Sequence, residues 1–389
     1  MIKFLVTFVL FTLFVNICTA ANLVCFFTSW TVYRPGNGKY NVSNLPADLC
    51  THVNYGFVGL QEYDGSLSIL DDWEANGLYE LEHLKQKRKQ NPKLKLVVSM
   101  GGWNEGSEKY SHVAADPKLR KNMINSVLSF LDKYEFDGFD LDWEYPDQRG
   151  GKSEDVQNFV TLLKEFKEAF APKNYILSID VSGGVVSANT SYYIQEVGEA
   201  VDMINVMAYD YHGAFEDYVG HYAPLYASHL DYDELQQTLN VKSGIEFWLD
   251  QGAPASKLNL GIGTYGRGFT LADSKNTSLY APMTGPCTAG PYTREEGTIG
   301  YNEICELYSD YTYYWDDEQK VPHIVKGNQW IGYDDATSVK DKVEFAKSKG
   351  LGGLMVWSLD TDDFMGICGN GKYPLIKTMK KTLNENYIS

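Results

Sequence analysis

Three carboxylic acids alternate with large apolar side chains in the segment FDGFDLDWE, residues 136–144. Alternate side chains of a β-strand share one face, so Asp140, Asp142 and Glu144 point to the same side. The Phe, Leu and Trp between them point to the other side, as expected for a strand packed against helices. The segment therefore predicts a row of three buried acids.

Such a row can perform acid–base chemistry. Carboxylates about 7 Å apart on one strand face cannot all ionise at low cost, so they should titrate as a coupled set with at least one raised pKa. A raised pKa makes Glu144 a general acid near neutral pH. A solvated edge strand and a calcium site are the alternatives. They are disfavoured by the large apolar face and by the lack of a turn with carbonyl ligands.

The acids must be positioned by a repeating framework. Short β-rich runs alternate with helical patterns over most of the chain, which predicts parallel βαβ units. Eight such runs favour a closed (β/α)8 TIM barrel. The alternative is an open doubly wound sheet, which is less well supported because no G-x-G-x-x-G motif follows the first strand. The predicted strands are 22–28, 52–57, 94–100, 136–143, 175–181, 203–209, 258–264 and 353–357.

The barrel prediction places the acids at a functional position, because TIM-barrel active sites lie at the carboxyl ends of the strands. Apolar residues at helical spacing predict amphipathic helices near 123–134 and 156–170. Roughly 90 residues separate the seventh and eighth runs. We expect an α+β insertion there, over about 271–330, forming one wall of a cleft.

The net charge, the aromatic content and the pattern of Cys and His residues disfavour several classes of binding partner and cofactor. The chain has 389 residues, 14% aromatic residues and a formal net charge of −17. The charge argues against a nucleic-acid partner and an anionic membrane surface, while surplus aromatic rings suit the faces of sugars. Without a C-x-x-C pair, and with His212 as a single histidine beside the Tyr-Asp pair, no metal or cofactor is expected.

The first twenty residues form a predicted secretory signal peptide. Lys3 precedes an apolar run, 4–17, that is shorter than the roughly twenty residues of a membrane span, and small residues end it. We therefore expect a secreted, extracellular protein of residues 21–389. Asn41, Asn189 and Asn276 begin possible glycosylation sequons.

The sequence also resembles glycoside hydrolase family 18, the chitinases and chitinase-like lectins. The acid segment matches the family's D-G-x-D-x-D-x-E pattern completely. Further matches are SMGGW at 99–103, MAYD at 207–210, YGR at 265–267 and MVWS at 355–358. The resemblance covers nearly the whole chain after the leader and implies a TIM barrel with an α+β insertion after the seventh strand.

The resemblance implies substrate-assisted hydrolysis of chitin or chitooligosaccharides with retention. Glu144 is the implied general acid and base, Asp142 holds the acetamido group, Asp140 shares a proton with Asp142, and Tyr209 donates to the acetamido oxygen. Ser99 is interpreted as a hydrogen-bond partner of the acids, since no nucleophile elbow surrounds it. The implied substrate-binding residues are Trp357, Trp30, Tyr33, Phe57, Gly102, Trp103, Met207, Asp210, Tyr265, Arg267 and Met355.

The sequence departs from the family at Asp180, at Gly263, where a proline is usual, and at Cys287, where glycine is frequent. Asp180 stands where the family usually has alanine. Strand parity with Ser178 predicts that it faces the barrel interior, and the resemblance implies that it lies beside the acids. It either crowds Asp142, changing the pH optimum or turnover, or is an innocuous buried acid. The resemblance pairs Cys25 with Cys50 and Cys305 with Cys368, which leaves Cys287 as a buried thiol or an intermolecular disulfide.

The expected protein is a monomeric, secreted chitinase. The first alternative is a chitinase-like lectin that binds the same sugars without hydrolysis. The presence of Glu144 argues against the lectin, and Asp180 keeps that alternative open. An endo-β-N-acetylglucosaminidase acting on glycoproteins shares the same chemistry and is the second alternative.

Overall fold

Fifteen strands and ten α-helices are present in the computed structural model, which describes residues 21–385. The predicted signal peptide lies outside the described residues. The strands are β1 Asn22–Thr28, β2 His52–Leu60, β3 Leu67–Ile69, β4 Lys95–Gly101, β5 Gly138–Asp142, β6 Ile176–Ser182, β7 Met203–Met207, β8 Leu258–Gly263, β9 Tyr265–Leu271, β10 Met283–Pro286, β11 Thr298–Gly300, β12 Thr312–Asp316, β13 Val321–Lys326, β14 Gln329–Tyr333 and β15 Gly353–Trp357.

The helices lie between these strands and after the last one. They are α1 Glu80–Lys87, α2 Glu108–Ala115, α3 Pro117–Tyr134, α4 Asp155–Phe170, α5 Val185–Ser191, α6 Ile194–Ala200, α7 Val241–Asp250, α8 Tyr301–Leu307, α9 Ala336–Ser348 and α10 Pro374–Asn384. None of the helices in the described range is long and apolar enough to cross a membrane.

Eight parallel strands close into a barrel. The order around it is β1, β15, β8, β7, β6, β5, β4 and β2, and pairing of β1 with β2 closes the ring, with β3 added antiparallel to β2. This confirms the predicted (β/α)8 TIM barrel. Each predicted barrel strand is present, although β5 and β7 end earlier than expected. β7 ends at Met207 because the chain turns there, with Asp210 at a left-handed φ of 59°.

The helix layer follows from the apolar stripes in the sequence. Phe139 of β5 stacks on Phe166 of α4 with ring centroids 4.9 Å apart, and Trp143 meets Phe159 edge-on at 5.8 Å. Burial of each such ring stabilises the fold by roughly 1.5–3 kcal/mol. This packing fixes the outer face of β5, and therefore leaves the acids on its inner face.

A second sheet lies between β8 and β15. Its order is β10, β9, β14, β13 and β12, with β11 also paired to β9, and Phe269 and Trp330 belong to its own small core. The sheet starts at Tyr265 and ends at Tyr333, outside the expected bounds of 271–330. The reason is that β9 and β14, the first and last strands of the second sheet along the chain, pair with each other.

The cysteines are paired as the resemblance implies, Cys25 with Cys50 and Cys305 with Cys368. Cys287 is a free, buried thiol. Its sulfur lies against Gly268 of β9, where an added Cβ would meet it at 2.2 Å. Cys287 therefore belongs to the packing of the second sheet.

Candidate active site

The acids of β5 lie inside the barrel at its carboxyl end. Asp140 is fully buried and accepts two hydroxyl hydrogen bonds, from Ser99 of β4 at 2.7 Å and from Ser178 of β6 at 2.5 Å. The interpretation of Ser99 as a partner of the acids is confirmed. Both neighbouring strands therefore orient Asp140 from its two sides.

The next two acids are buried further along the same strand direction. Burial, followed by the negative charges of Glu144 and Asp140, raises the pKa of Asp142 well above its usual range. Burial is also the largest cause that raises the pKa of Glu144 to about 7. Asp142 Oδ1 is buried without a hydrogen-bond partner among the described residues. Burial thus favours the protonated form of Glu144, and the neighbouring Asp142 has an oxygen that is free to accept a hydrogen bond.

Asp137, the first aspartate of the motif, does not belong to this group. Its carboxylate bonds to Arg88, lies 3.3 Å from the Lys95 ammonium and accepts the Leu96 N–H at 2.8 Å. These contacts tie the start of β5 to β4 at the opposite end of the barrel. Asp137 is therefore a structural residue.

Arg149 is a site residue that was missed in the sequence analysis. Its guanidinium donates to the backbone oxygen of Glu144 at 3.0 Å and lies 3.5 Å from the ring centroid of Trp103. Its positive charge also lowers the pKa of Glu144, against the larger effect of burial. A basic residue five positions after the last acid was the available signal.

Aromatic rings form a wall around the barrel mouth. Trp357 stacks on Phe57 with ring centroids 5.8 Å apart, and Phe57 stacks on Trp30 at 6.1 Å. Gly102 allows this arrangement, because it has a φ of 87° and an added Cβ would meet the Phe57 ring at 2.8 Å. Trp30 is 42% exposed. The structure therefore brings these four predicted residues together as an accessible apolar face.

Tyr209 packs in the apolar cluster that also contains Met355 and Trp357. Its hydroxyl lies 3.9 Å from the sulfur of Met355, and its ring meets that of Tyr265 edge-on at 6.1 Å. Met207 packs in the same apolar cluster as Met355 and Trp357. Burial raises the pKa of Tyr209 well above its usual range, so its hydroxyl stays a proton donor.

Three more of the predicted residues form one polar group. The Tyr265 hydroxyl and the Arg267 guanidinium both donate to the Asp210 carboxylate, at distances of 2.7–2.8 Å. Tyr265 and Arg267 come from β9, whereas Asp210 follows β7. The second sheet therefore contacts the barrel beside the acids.

Tyr33 lies apart from these groups on the segment after β1. Its hydroxyl donates to Asp71 at 2.6 Å, and its ring is exposed. Trp73, which follows Asp71 by two positions, is also exposed. His212 is buried and bonded through Nδ1 to Glu216 at 3.0 Å. Tyr33 is therefore an exposed residue that the structure does not bring into contact with the acids, and His212 has a structural role.

Asp180 is buried on the inner face of β6, as parity predicts. Burial, followed by the charges of Asp140 and Asp142, raises the pKa of Asp180 well above its usual range. The barrel therefore holds four buried acids: Asp140 and Asp142 of β5, Glu144 just beyond the end of β5, and Asp180 of β6.

The comparisons with known proteins agree with this geometry. Residues 22–362 match the family model described as glycosyl hydrolases family 18. The chain belongs to glycosyl hydrolase family 18. Among curated family 18 relatives, mouse (Mus musculus) chitotriosidase-1 is 38% identical over 374 residues, which are 94% of this chain and 79% of the relative.

Two solved structures show the range of this family. The Group IV chitinase of Ostrinia furnacalis in complex with allosamidin has a TM-score of 0.91 and 38% identity, covering 93% of this chain and 98% of that one. Human YKL-39, described as a pseudo-chitinase with retained chitooligosaccharide binding, has a TM-score of 0.89 and 35% identity, covering 94% and 100%. Family 18 membership alone therefore includes both hydrolysis and binding.

Proposed function

We propose that this family 18 protein is a secreted chitinase that hydrolyses β-1,4 linkages between N-acetylglucosamine units. The observation that carries the proposal is the state of Glu144, a buried carboxyl group whose pKa of about 7 keeps it protonated at mildly acidic pH. A general acid is most effective when its pKa lies near the working pH. The barrel mouth beside Glu144 is lined by exposed rings suited to sugar faces.

Glu144 donates its proton to the glycosidic oxygen, and the bond from that oxygen to the anomeric carbon breaks. The acetamido oxygen of the same sugar forms a bond to the anomeric carbon, which gives a cyclic oxazolinium ion. Water then attacks the anomeric carbon and loses a proton to the Glu144 carboxylate, while the bond from that carbon to the acetamido oxygen breaks and the acetamido group is restored. The leaving sugar takes the first proton and Glu144 recovers one from water, so charge and atoms balance with retained configuration.

Asp142 and Tyr209 hold the acetamido group during these steps. The unpartnered oxygen of Asp142 accepts the acetamido N–H, which orients the nucleophilic oxygen. The Tyr209 hydroxyl donates to that oxygen. A hydrogen bond from a fixed donor stabilises developing charge more strongly in a site with little water than in bulk solvent. Asp140 shares a proton with Asp142 and is held by its two serine partners.

The remaining positions bind the polymer. Trp357 forms a floor for the reacting sugar, flanked by the Phe57 and Trp30 rings. Trp103, held by Arg149, presents another ring at the rim. The other proposed contacts are Tyr33, Gly102, Met207, Asp210, Tyr265, Arg267 and Met355. No cofactor takes part in this scheme.

The deciding experiment compares the protein with its Glu144→Gln variant on a fluorogenic chitotriose substrate. We expect the variant to lose about 10²–10⁴-fold in kcat, the usual contribution of a general acid, and to keep its binding to chitin. Glu62→Gln, at an exposed position, is the matched control. Equal activity in both proteins would remove the catalytic assignment. An inactive parent protein that retains chitin binding would establish the lectin, and cleavage confined to glycoprotein glycans would establish the endoglycosidase.

Secretion and a monomeric state are part of the same proposal. Residues 1–20 have the order of a signal peptide, and two disulfides suit an oxidising compartment. We expect the secreted protein to begin at residue 21, which N-terminal sequencing of the medium tests. An intact leader on the mature protein would contradict this assignment.

A further inference from the structure

Asp180 occupies a position that the proposed reaction does not use. In the register between β5 and β6, Asp140 lies opposite Ser178 and Leu141 opposite Ile179, so the next step along both strands brings Asp180 beside Asp142. Across the other edge of β6, Asp180 lies opposite Asn205 of β7. Asp180 is 2% exposed. It is therefore a carboxyl group enclosed by the acid pair and an amide.

The contacts of Asp180 determine which group carries a proton. Its carboxyl faces that of Asp140 and the side-chain amide of Asn205, and neither Asp180 oxygen has a hydrogen-bond partner of good geometry among the described residues. Ionised carboxylates only accept hydrogen bonds, so a bond between two carboxyl groups requires one of them to be protonated. Both Asp140 oxygens already accept hydroxyl bonds, from Ser99 and Ser178. The proton therefore belongs on Asp180.

Apart from the Asn205 amide, the neighbours of Asp180 give its charged form no compensation. The titratable groups that face it are Asp140 and Asp142 from β5, Tyr192 after α5 and Tyr209 after β7. None of these four groups is a cation. An ionised Asp180 would add a further buried negative charge beside the acid pair, which is costly in a low-dielectric interior.

We propose that Asp180 is a positioning residue that stays a neutral carboxylic acid and donates its proton in a hydrogen bond to Asp140. This bond keeps Asp140 as the anion of the acid pair and leaves the proton of the pair on Asp142, next to Glu144. Asp180 therefore sets where the pair carries its charge without contacting substrate. The inference rests on the proposed chitinase reaction and adds to it a fixed proton distribution.

Two variants separate this role from that of an added charge. Asp180→Asn keeps a neutral side chain of the same shape whose amide donates to Asp140, so both limbs of the pH profile of kcat/KM should stay in place. Asp180→Ala removes the donor, so the Asp140–Asp142 pair takes up its next proton more readily. The acid limb should then move to higher pH by about one unit, a tenfold change in proton affinity. The alkaline limb, which reports Glu144, should not move.

Other results would overturn the proposal. If Asp180 were ionised, both variants would remove a negative charge near Asp142 and Glu144, and the alkaline limb would move to lower pH in both. If Asp180 were an innocuous buried acid, neither limb would move in Asp180→Ala. Thermal unfolding of each variant confirms that a folded protein is being compared.

An infrared measurement does not depend on activity. The protonated Asp180 has a carbonyl stretch that an ionised carboxylate lacks, and the difference spectrum between the parent protein and Asp180→Asn should show its loss at pH 7. An unchanged band would refute the inference even if Asp180→Ala fails to fold. Failure of the proposed function would appear instead as an inactive parent protein, with the infrared result unaffected.

Discussion

The guanidinium of Arg267 donates two hydrogen bonds to the carboxylate of Asp210, from Nε to Oδ1 at 2.8 Å and from Nη2 to Oδ2 at 2.7 Å. Arg267 belongs to the second sheet and Asp210 follows barrel strand β7. This bidentate pair therefore joins the inserted sheet to the barrel at the edge of the site. The planar guanidinium of arginine donates two parallel hydrogen bonds to a carboxylate, a geometry that the ammonium of lysine does not provide.

Arg267→Lys should weaken this connection. Loss of one charge-assisted hydrogen bond costs about 1.5–3 kcal/mol, so we expect kcat/KM on a chitotriose substrate to fall roughly tenfold to a hundredfold. Arg294→Lys, at an exposed position in the loop between β10 and β11, is the control. Unchanged kinetics in Arg267→Lys would show that the connection is not needed for catalysis.

The charges around Glu144 should move the alkaline limb of the pH profile in opposite directions. The positive charge of Arg149 lowers the pKa of Glu144, and the negative charge of Asp210 raises it. Arg149→Gln should shift the limb to higher pH and Asp210→Asn to lower pH, each by about half a unit to one unit. The measurement is kcat/KM against pH. Shifts of the same sign would contradict the assignment of the limb to Glu144.

Glu74 should make stability depend on pH. It is fully buried in the π-helical turn Trp73–Gly77 and accepts a hydrogen bond from Tyr55. Burial raises its pKa from 4.5 to about 8. The folded chain therefore holds this proton more tightly than the unfolded chain. The stabilising contribution is complete below pH 4.5 and is lost as the pH rises toward 8.

Glu74→Gln keeps the acceptor for Tyr55 and removes the ionisation. Its free energy of unfolding should fall less than that of the parent protein between pH 5 and 8, a difference on the order of a few kcal/mol. Urea unfolding at several pH values measures this, with the exposed Glu62→Gln as control. Equal slopes in the variant and the parent would contradict the raised pKa.

Cys287 should be unreactive in the folded protein. Burial raises the pKa of its thiol to about 11, and the thiolate is the reactive form. We expect no reaction with a thiol reagent under native conditions, one equivalent after unfolding, and a single monomer band on non-reducing electrophoresis. A disulfide-linked dimer would overturn this prediction.

The sequence by itself determined the barrel and the acid row. Both rest on local periodicity: strict alternation places Asp140 and Asp142 on one face of β5, and helical spacing places Phe166 on the stripe that covers the other face. Such patterns depend on the geometry of a single strand or helix, so they can be read without knowing the partners.

The tertiary structure decided which distant residues meet the acids. The register of β4, β5 and β6 places Ser99 and Ser178 on opposite sides of Asp140, and its continuation brings Asp180 beside Asp142. Arg267 and Asp210 are 57 positions apart and meet because the second sheet packs over the barrel mouth. Barrel closure and strand register set these contacts, and neither is encoded in the spacing of neighbouring residues.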